Sequence, residues 1–381
     1  VQKDGSSWRT RVLNRDKNHE QMATSATIKD VAQAASVSIV TVSRVFNNHP
    51  KVSEEMRTRV MKAAAEVGYL GSKSYVSSIR QNLGMESGKQ ALKQIGLFFH
   101  LDGDTPASIP FWSSIMFGVE SEARKAHVNV LYRSISDLIP TPDRLRKMIQ
   151  EIDINGILLI GPPDVTVISL LQQTRLPLVL VDTNVPDQPV DAVLSDYFEG
   201  TREAVSYLIQ QGHTRIVFLS SPATDKIYTV ELRLMGYQAA LLKAGLPVDE
   251  RLYALSNPAP RTIHSSLSSE GGYEACKRLL ARQIPFSAIF CANDMMAAGT
   301  LKALHEAGCR VPEDVSVIGF DDIEMAEHLI PALTTVRVNR EGMGRQAMKA
   351  LVARATHPGD AAITTVLKVQ LIKRGSVAPF R

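Results

Sequence analysis

Ten consecutive residues, Ser38 to Asn47, carry the chemistry most easily read in this chain. They hold three hydroxyls (Ser38, Thr41, Ser43), a guanidinium (Arg44), a carboxamide (Asn47) and four β-branched aliphatics, of which Ile39 and Val40 come first. Hydroxyl, amide and guanidinium groups donate to phosphate oxygens and to base edges. Aliphatic tips cannot hydrogen-bond, and their available base contact is the thymine methyl group. A short helix presenting such a set suits the major groove of a duplex.

The elements that would hold this helix can be read around it. Thr27 and Asp30 form a T-x-x-D cap, and Ile28, Val31, Ala32 and Ala35 recur at helical spacing. Ala35-Ser36-Val37 makes a tight turn, and Ser38 caps the second helix, whose Val42 and Val45 face inward. Ser53 caps a third helix with an apolar stripe of Met56, Val60, Ala63 and Val67. A generic helical hairpin would share these features. A helix-turn-helix differs in placing the start of its second helix against base edges.

The string from Thr27 to Tyr69, TIKDVAQAASVSIVTVSRVFNNHPKVSEEMRTRVMKAAAEVGY, resembles the DNA-binding headpiece of the LacI family of bacterial transcription regulators. The family pattern T-I-x-D-V-A-x-x-A-G-V-S-x-x-T-V-S-R-V-L-N is matched at Thr27, Ile28, Asp30, Val31, Ala32, Ala35, Val37, Ser38, Thr41 to Val45 and Asn47. Val52, Ser53, Arg57, Arg59, Val60, Gly68 and Tyr69 continue the match. Two positions depart from it. Ser36 replaces the turn glycine, which implies either modest strain or a different turn. Phe46 replaces a leucine. The two variable positions that set operator preference in the family are Ile39 and Val40 here, so discrimination at those base pairs is expected to rest on van der Waals fit. The resemblance thus implies that Ser38, Ile39, Val40, Thr41, Ser43, Arg44 and Asn47 contact DNA.

Charge agrees with a polyanion partner at one end. The formal net charge is +4, but residues 1–94 carry an excess of +7 and residues 95–381 one of −3. No apolar run approaches the roughly 18 residues that cross a bilayer, and the N-terminus lacks the apolar core of a signal peptide. The expectation is a cytoplasmic protein without a membrane partner. Cys276, Cys291 and Cys309 lack metal-ligand spacing and read as buried thiols. Residues 1–26 are polar and aperiodic and are expected to be disordered. Met22 stands close to where family members begin and is the expected native start.

Residues 71–94 are rich in Gly, Ser and Lys/Arg and read as a connector. In the family this stretch folds on DNA as a hinge helix whose leucine wedges into the minor groove. Gly71-Ser72 stands where the family has Pro-Asn, and no A-R-x-L follows. The candidates for the wedge and its phosphate contact are Ile79, Leu83 and Arg80. A linker with no wedge is the alternative.

From Ile95 onward, short apolar runs alternate with helical patterns. Strands are expected at 95–99, 128–132, 156–160, 178–181, 216–219, 288–290, 315–320, 335–338 and 365–373. Helices are expected at 113–126, 198–211, 230–244, 272–281 and 295–306. Such alternation predicts parallel sheets covered on both faces, and the length suits two lobes. The strings FCANDMMAAGTLKALHEAGCRVPEDVSVIGFDD, LTTVRVNREGMGRQA and GHTRIVFLSS continue the family resemblance. It implies an α/β, two-lobed, periplasmic-binding-protein-like effector domain over 95–375 behind a three-helix headpiece over 27–70. Lobe 1 is expected over about 95–193 and 336–357, and lobe 2 over about 194–335 and 358–375. Crossovers are placed near 193–196, 321–335 and 356–360.

Carried over by position, the cleft includes Asp182, Arg233, Asn293 and Asp321, with Phe111 and Trp112 as an aromatic platform. Carboxylates and a guanidinium pair well with neighbouring hydroxyls. The same residues also serve as internal salt bridges or helix caps in many proteins, and Phe-Trp at a helix start serves core packing equally well. The polar set favours a sugar effector; a nucleobase or nucleoside effector, and a solute-binding protein without DNA affinity, are the alternatives.

Gly342-Met343-Gly344-Arg345-Gln346-Ala347 satisfies a loose dinucleotide fingerprint, but it lies late in the chain and opens a helix outside a first βαβ unit. No Ser-His-Asp string, nucleophile elbow or metal cluster is evident, so neither enzymatic activity nor a cofactor is expected. The whole reads as a repressor that binds double-stranded operator DNA as a homodimer and answers to a small molecule. The chain ends soon after its last strand, so a dimer and not a tetramer is expected.

Overall fold

The computed structural model describes residues 27–46, 52–67, 92–99, 110–135, 138, 141–161, 165–185, 187–222, 228–256 and 267–380. The expected tail, Asn47, and the hinge candidates Ile79, Arg80 and Leu83 lie outside the described residues. The chain divides into two compact units, Val1–Gly88 and Lys89–Arg381.

The first unit holds α1 (Ile28–Ala34), α2 (Ile39–Phe46) and α3 (Glu54–Glu66). All three starts are capped as their residue types dictate. The Thr27 backbone N–H and hydroxyl donate to Asp30 at 2.6 and 2.8 Å. The Thr41 N–H donates to Ser38 Oγ at 3.1 Å, and the Met56 N–H to Ser53 Oγ at 3.3 Å. Val31, Val42, Val45 and Val60 are fully buried and, with Ala32, Ala35, Met61, Ala63 and Ala64, form one small core. Ser36, where the family pattern has glycine, adopts a left-handed backbone with φ 54°. The turn is therefore preserved, and the serine carries the strain of that conformation.

The second unit is built on parallel strands. β1 (Gln94–Phe99), β2 (Asn129–Ser134), β3 (Ile157–Ile160), β4 (Leu178–Val181), β5 (Asp191–Ser195) and β11 (Thr364–Leu367) form one sheet in the order β11-β5-β4-β3-β1-β2. β6 (Ile216–Ser220), β7 (Tyr253–Leu255), β8 (Ala288–Cys291) and β9 (Ser316–Ile318) form a second, ordered β7-β6-β8-β9. The central strands ILLI and LVLV are buried at every position, as strands covered on both faces must be. The covering helices are α4 (Pro110–Lys125), α5 (Pro142–Glu151), α6 (Val165–Gln172), α7 (Tyr197–Gln210), α8 (Tyr228–Lys243), α9 (Ser269–Ala281), α10 (Asp294–Glu306), the short α11 (Met325–His328) and α12 (Arg340–Thr356). β10 (Thr335–Arg337) and β12 (Gln370–Ile372) pair antiparallel with each other.

One expectation about the lobes is corrected. The sequence pattern and the family resemblance place residues 358–375 in the second lobe and 365–373 in a single strand. Instead Thr364–Leu367 pairs in parallel with Ala192–Ser195 in the first sheet, and the chain then breaks at Lys368-Val369 before joining β10. The third crossover thus lies at 368–369. The apolar residues of 365–373 serve two different sheets, which a single alternating pattern conceals.

The GxGxxA string serves helix packing. A Cβ at Gly344 would stand 2.1 Å from the Ile115 carbonyl oxygen, and one at Gly118 would stand 2.1 Å from that of Glu341. The two glycines let α4 and α12 approach backbone to backbone. Gly344→Val should force them apart and destabilise this unit by about 3 kcal/mol, by analogy with other overpacked interiors. Denaturant melts should show a lower midpoint; an unchanged midpoint would mean the helices can part at no cost.

Candidate functional site

Two separate constellations emerge, one in each unit. In the first, α2 turns Val42 and Val45 into the core and leaves its other face open. Ile39 and Val40 are 45% and 59% exposed and stand next to each other at the start of the helix. Arg44 is exposed beside them, and Thr41 and Ser43 are half-buried. Ser38 caps the helix while its Oγ lies 2.9 Å from Thr41 Oγ1. The open face therefore presents hydroxyl, guanidinium and methyl groups together.

The second constellation lies at strand ends of the larger unit. Asp182 follows β4, Asp321 follows β9, Arg233 comes from α8, and Tyr197 opens α7 directly after β5. Asp182, Asp321 and Asp322 hold left-handed backbones, with φ 60°, 105° and 52°. Such non-glycine strain gathers at ligand-binding and switch positions. Arg233 is 6% exposed and lies 3.6 Å from Asp321. Its guanidinium carbon sits 4.2 Å from the centre of the Tyr197 ring and 4.7 Å from that of Phe320. The Tyr197 hydroxyl donates to Asp182. Four charged or polar groups from distant segments thus meet in one buried cluster.

The cluster is electrostatically loaded. Burial pushes the Asp182 carboxyl up to about 7 against the opposing pull of the Tyr197 hydrogen bond and Arg233. Burial likewise lifts Asp321 to about 7, with Arg233 and Arg340 pulling it down. Asp294, fully buried at the start of α10, is raised by burial and then by Asp321; it accepts from the Thr335 hydroxyl at 2.5 Å and the Ile323 N–H at 2.9 Å. Arg233 Nε and Asp321 Oδ1 are buried without a hydrogen-bond partner. Such unmet donors and acceptors are costly in a low-dielectric interior.

The other expected site residues fare differently. Asn293 caps α10, accepting from the Met296 N–H at 2.7 Å while its amide donates to the Leu267 carbonyl at 2.9 Å. Both ends of its side chain are engaged. Phe111 and Trp112 meet edge to face at 4.9 Å, with Trp112 buried in the core of the first sheet and Phe111 packed against it. Tyr197, Phe320 and Asp294 are members that the sequence did not single out. The available signal for Tyr197 was an aromatic directly after Asp196, which caps α7 through the Glu199 N–H.

Among the described residues no group of three or more His, Cys, Asp or Glu side chains could hold a metal, and no helix is long and apolar enough to cross a membrane.

A small helical unit with an open polar face, joined in sequence to paired parallel sheets whose strand ends enclose a buried polar cluster, defines a ligand-responsive DNA-binding protein. Comparison with known proteins agrees. Residues 27–72 match the family described as bacterial regulatory proteins, lacI family, and residues 205–377 match the periplasmic binding protein-like domain. The HTH-type transcriptional repressor CytR of Escherichia coli K12 is 33% identical over 370 residues, covering 94% of this chain and 98% of that protein. The transcriptional regulator CelR in complex with cellobiose is 29% identical with a TM-score of 0.67, covering 92% and 99% of the two chains. The lac repressor dimer bound to operator and the anti-inducer ONPF is 25% identical with a TM-score of 0.64, covering 93% and 100%. The chain belongs to the LacI family of bacterial transcriptional regulators. It is a DNA-binding repressor of that family.

Proposed function

We propose that a sugar or sugar derivative binds at the Asp182–Tyr197–Arg233–Asp321 cluster and controls how firmly a homodimer of this chain holds a pseudo-palindromic operator. The observation that carries the effector reading is the convergence of these residues around Arg233 Nε and Asp321 Oδ1, which have no hydrogen-bond partner. Paired hydroxyls on a ring match a guanidinium and carboxylates in this arrangement. The similarity to CelR in complex with cellobiose supports a sugar. A thermal-shift screen against sugars and nucleosides tests it, because a bound ligand raises apparent stability by mass action. A sugar that stabilises the wild type and not Asp182→Asn supports the reading; stabilisation by nucleosides alone would replace it.

On the DNA side, Ile39, Val40, Thr41, Ser43 and Arg44 form the contact face. Coupling of about 1–3 kcal/mol between ligand and DNA would change operator affinity roughly 5–150-fold. Arg44→Ala is expected to weaken operator and random duplexes alike and to reduce the salt slope by about 1. Unchanged affinity across a salt titration would remove Arg44 from the phosphate contacts.

A further inference from the structure

A second charged site, beside the buried cluster, lies where the third crossover passes the start of α12. A depression of about 570 Å³ opens there, walled by Arg337, Arg340, Lys368 and Gln370 together with Asp322 and Glu341. This volume falls within the range of small-molecule sites.

Both carboxylates in the wall are already answered. Asp322 is paired with Arg337 at 2.6 Å and with Arg374 at 2.8 Å. Glu341 is paired with Arg345. Arg340 gives its terminal nitrogens to the carbonyl oxygens of Asp321 and Asp322, at 3.2 and 3.1 Å. Those carbonyls carry no net charge, and the carboxyl that Arg340 faces, Asp321, is shared with Arg233. Lys368 is exposed and pairs with no carboxylate among the described residues. Counting the partners behind the wall as well, five cations (Arg337, Arg340, Arg345, Lys368 and Arg374) stand in or beside the depression against four carboxylates (Asp321, Asp322, Glu327 and Glu341). The Arg337 side chain is 53% exposed and engages Asp322 through Nε, so its terminal nitrogens remain for a further acceptor.

We propose that this depression binds a compact multivalent anion, with phosphoryl oxygens as the best match to two guanidinium groups and an ammonium. Planar Arg forks and a Lys point charge recur in phosphate recognition because the charge-assisted hydrogen bonds fit that geometry. The location gives such binding a regulatory consequence. Arg340 grips the backbone on which Asp321 is mounted, and Lys368-Val369 is the crossover itself. An anion drawn in by Arg340 and Lys368 would bear on both the hinge and the neighbouring buried cluster. The proposal goes beyond the effector reading and does not depend on it.

Pyrophosphate titrated into the full-length chain by isothermal calorimetry, against chloride at matched ionic strength, is the test. Saturable binding is expected, weakened at least tenfold in Lys368→Glu, with Lys368→Arg retaining it. Thermal melting should show Lys368→Glu folded as the wild type, since the side chain is exposed. Absence of saturable heat, or binding in Lys368→Glu equal to the wild type, would overturn the proposal; the latter would place the anion elsewhere, for example on the headpiece.

Discussion

Replacing Arg233 with alanine is expected to destabilise the larger unit by about 3–5 kcal/mol, the usual cost of breaking a buried ion pair from one side. The guanidinium is the cation that faces Asp182 and Asp321 together, and it lies over the adjoining rings of Tyr197 and Phe320. Its removal leaves two buried carboxyls with weaker compensation and an empty volume beside two rings. The loss should depend on pH. Both carboxyls have folded-state values near 7, raised above the ordinary 3.8. Their contribution to stability is therefore full below the unfolded value and is lost as pH rises through about 7. Without Arg233 the folded values move higher still, so the difference between variant and wild type should widen from pH 5.5 to pH 8.5. Chemical denaturation across that range measures it. A gap that is constant with pH would mean that the guanidinium acts by packing alone. The ligand response should vanish in the same variant at every pH at which it remains folded.

The second large effect concerns the headpiece. Val42 is fully buried in a core of nine small side chains. A carboxylate placed there by Val42→Asp has no described basic partner inside that core, and burying an unpaired charge costs more than so small a unit has to give. The headpiece should unfold and DNA binding should be lost, whereas the larger unit should melt at its wild-type temperature. Val40→Asp, at a position 59% exposed, is the contrasting variant. It should leave the headpiece folded by far-UV circular dichroism and still weaken DNA binding, through repulsion from phosphate. Equal loss of fold in both variants would mean that α2 has been assigned the wrong inner face.

Much of this was legible in the residues, for reasons that differ by element. The headpiece helices carry caps and a helical apolar stripe, and both signals are local. The strands ILLI and LVLV announce themselves because burial on both faces demands uninterrupted aliphatics. β5 and β7 were not anticipated: DAVLS begins with a carboxylate, and YAL is only three residues long. Asp191 is tolerated in a strand because Arg354 pairs with it at 2.7 Å from 163 residues away, a contact no local pattern reveals. α5 and α6 were passed over for opposite reasons, PDRLRKMIQE being largely charged and VTVISLLQ rich in β-branched residues. In the buried cluster, Asp182, Arg233 and Asp321 followed from resemblance to the family. Tyr197 was missed because its role depends on a hydroxyl reaching back across fifteen residues to Asp182. Asn293, which resemblance to the family places in the cleft, accepts from the Met296 N–H of its own helix and donates to the Leu267 carbonyl.

The central claim is that the open face of α2 grips duplex DNA. Binding of the full-length chain to a pool of random duplexes should be followed as salt is raised, with wild type and Arg44→Ala side by side. Tight association at low salt, falling linearly on a log–log plot and with a shallower slope for Arg44→Ala, is the expected result. A wild-type chain that ignores every duplex at low salt, with or without added sugars and nucleosides, would contradict it.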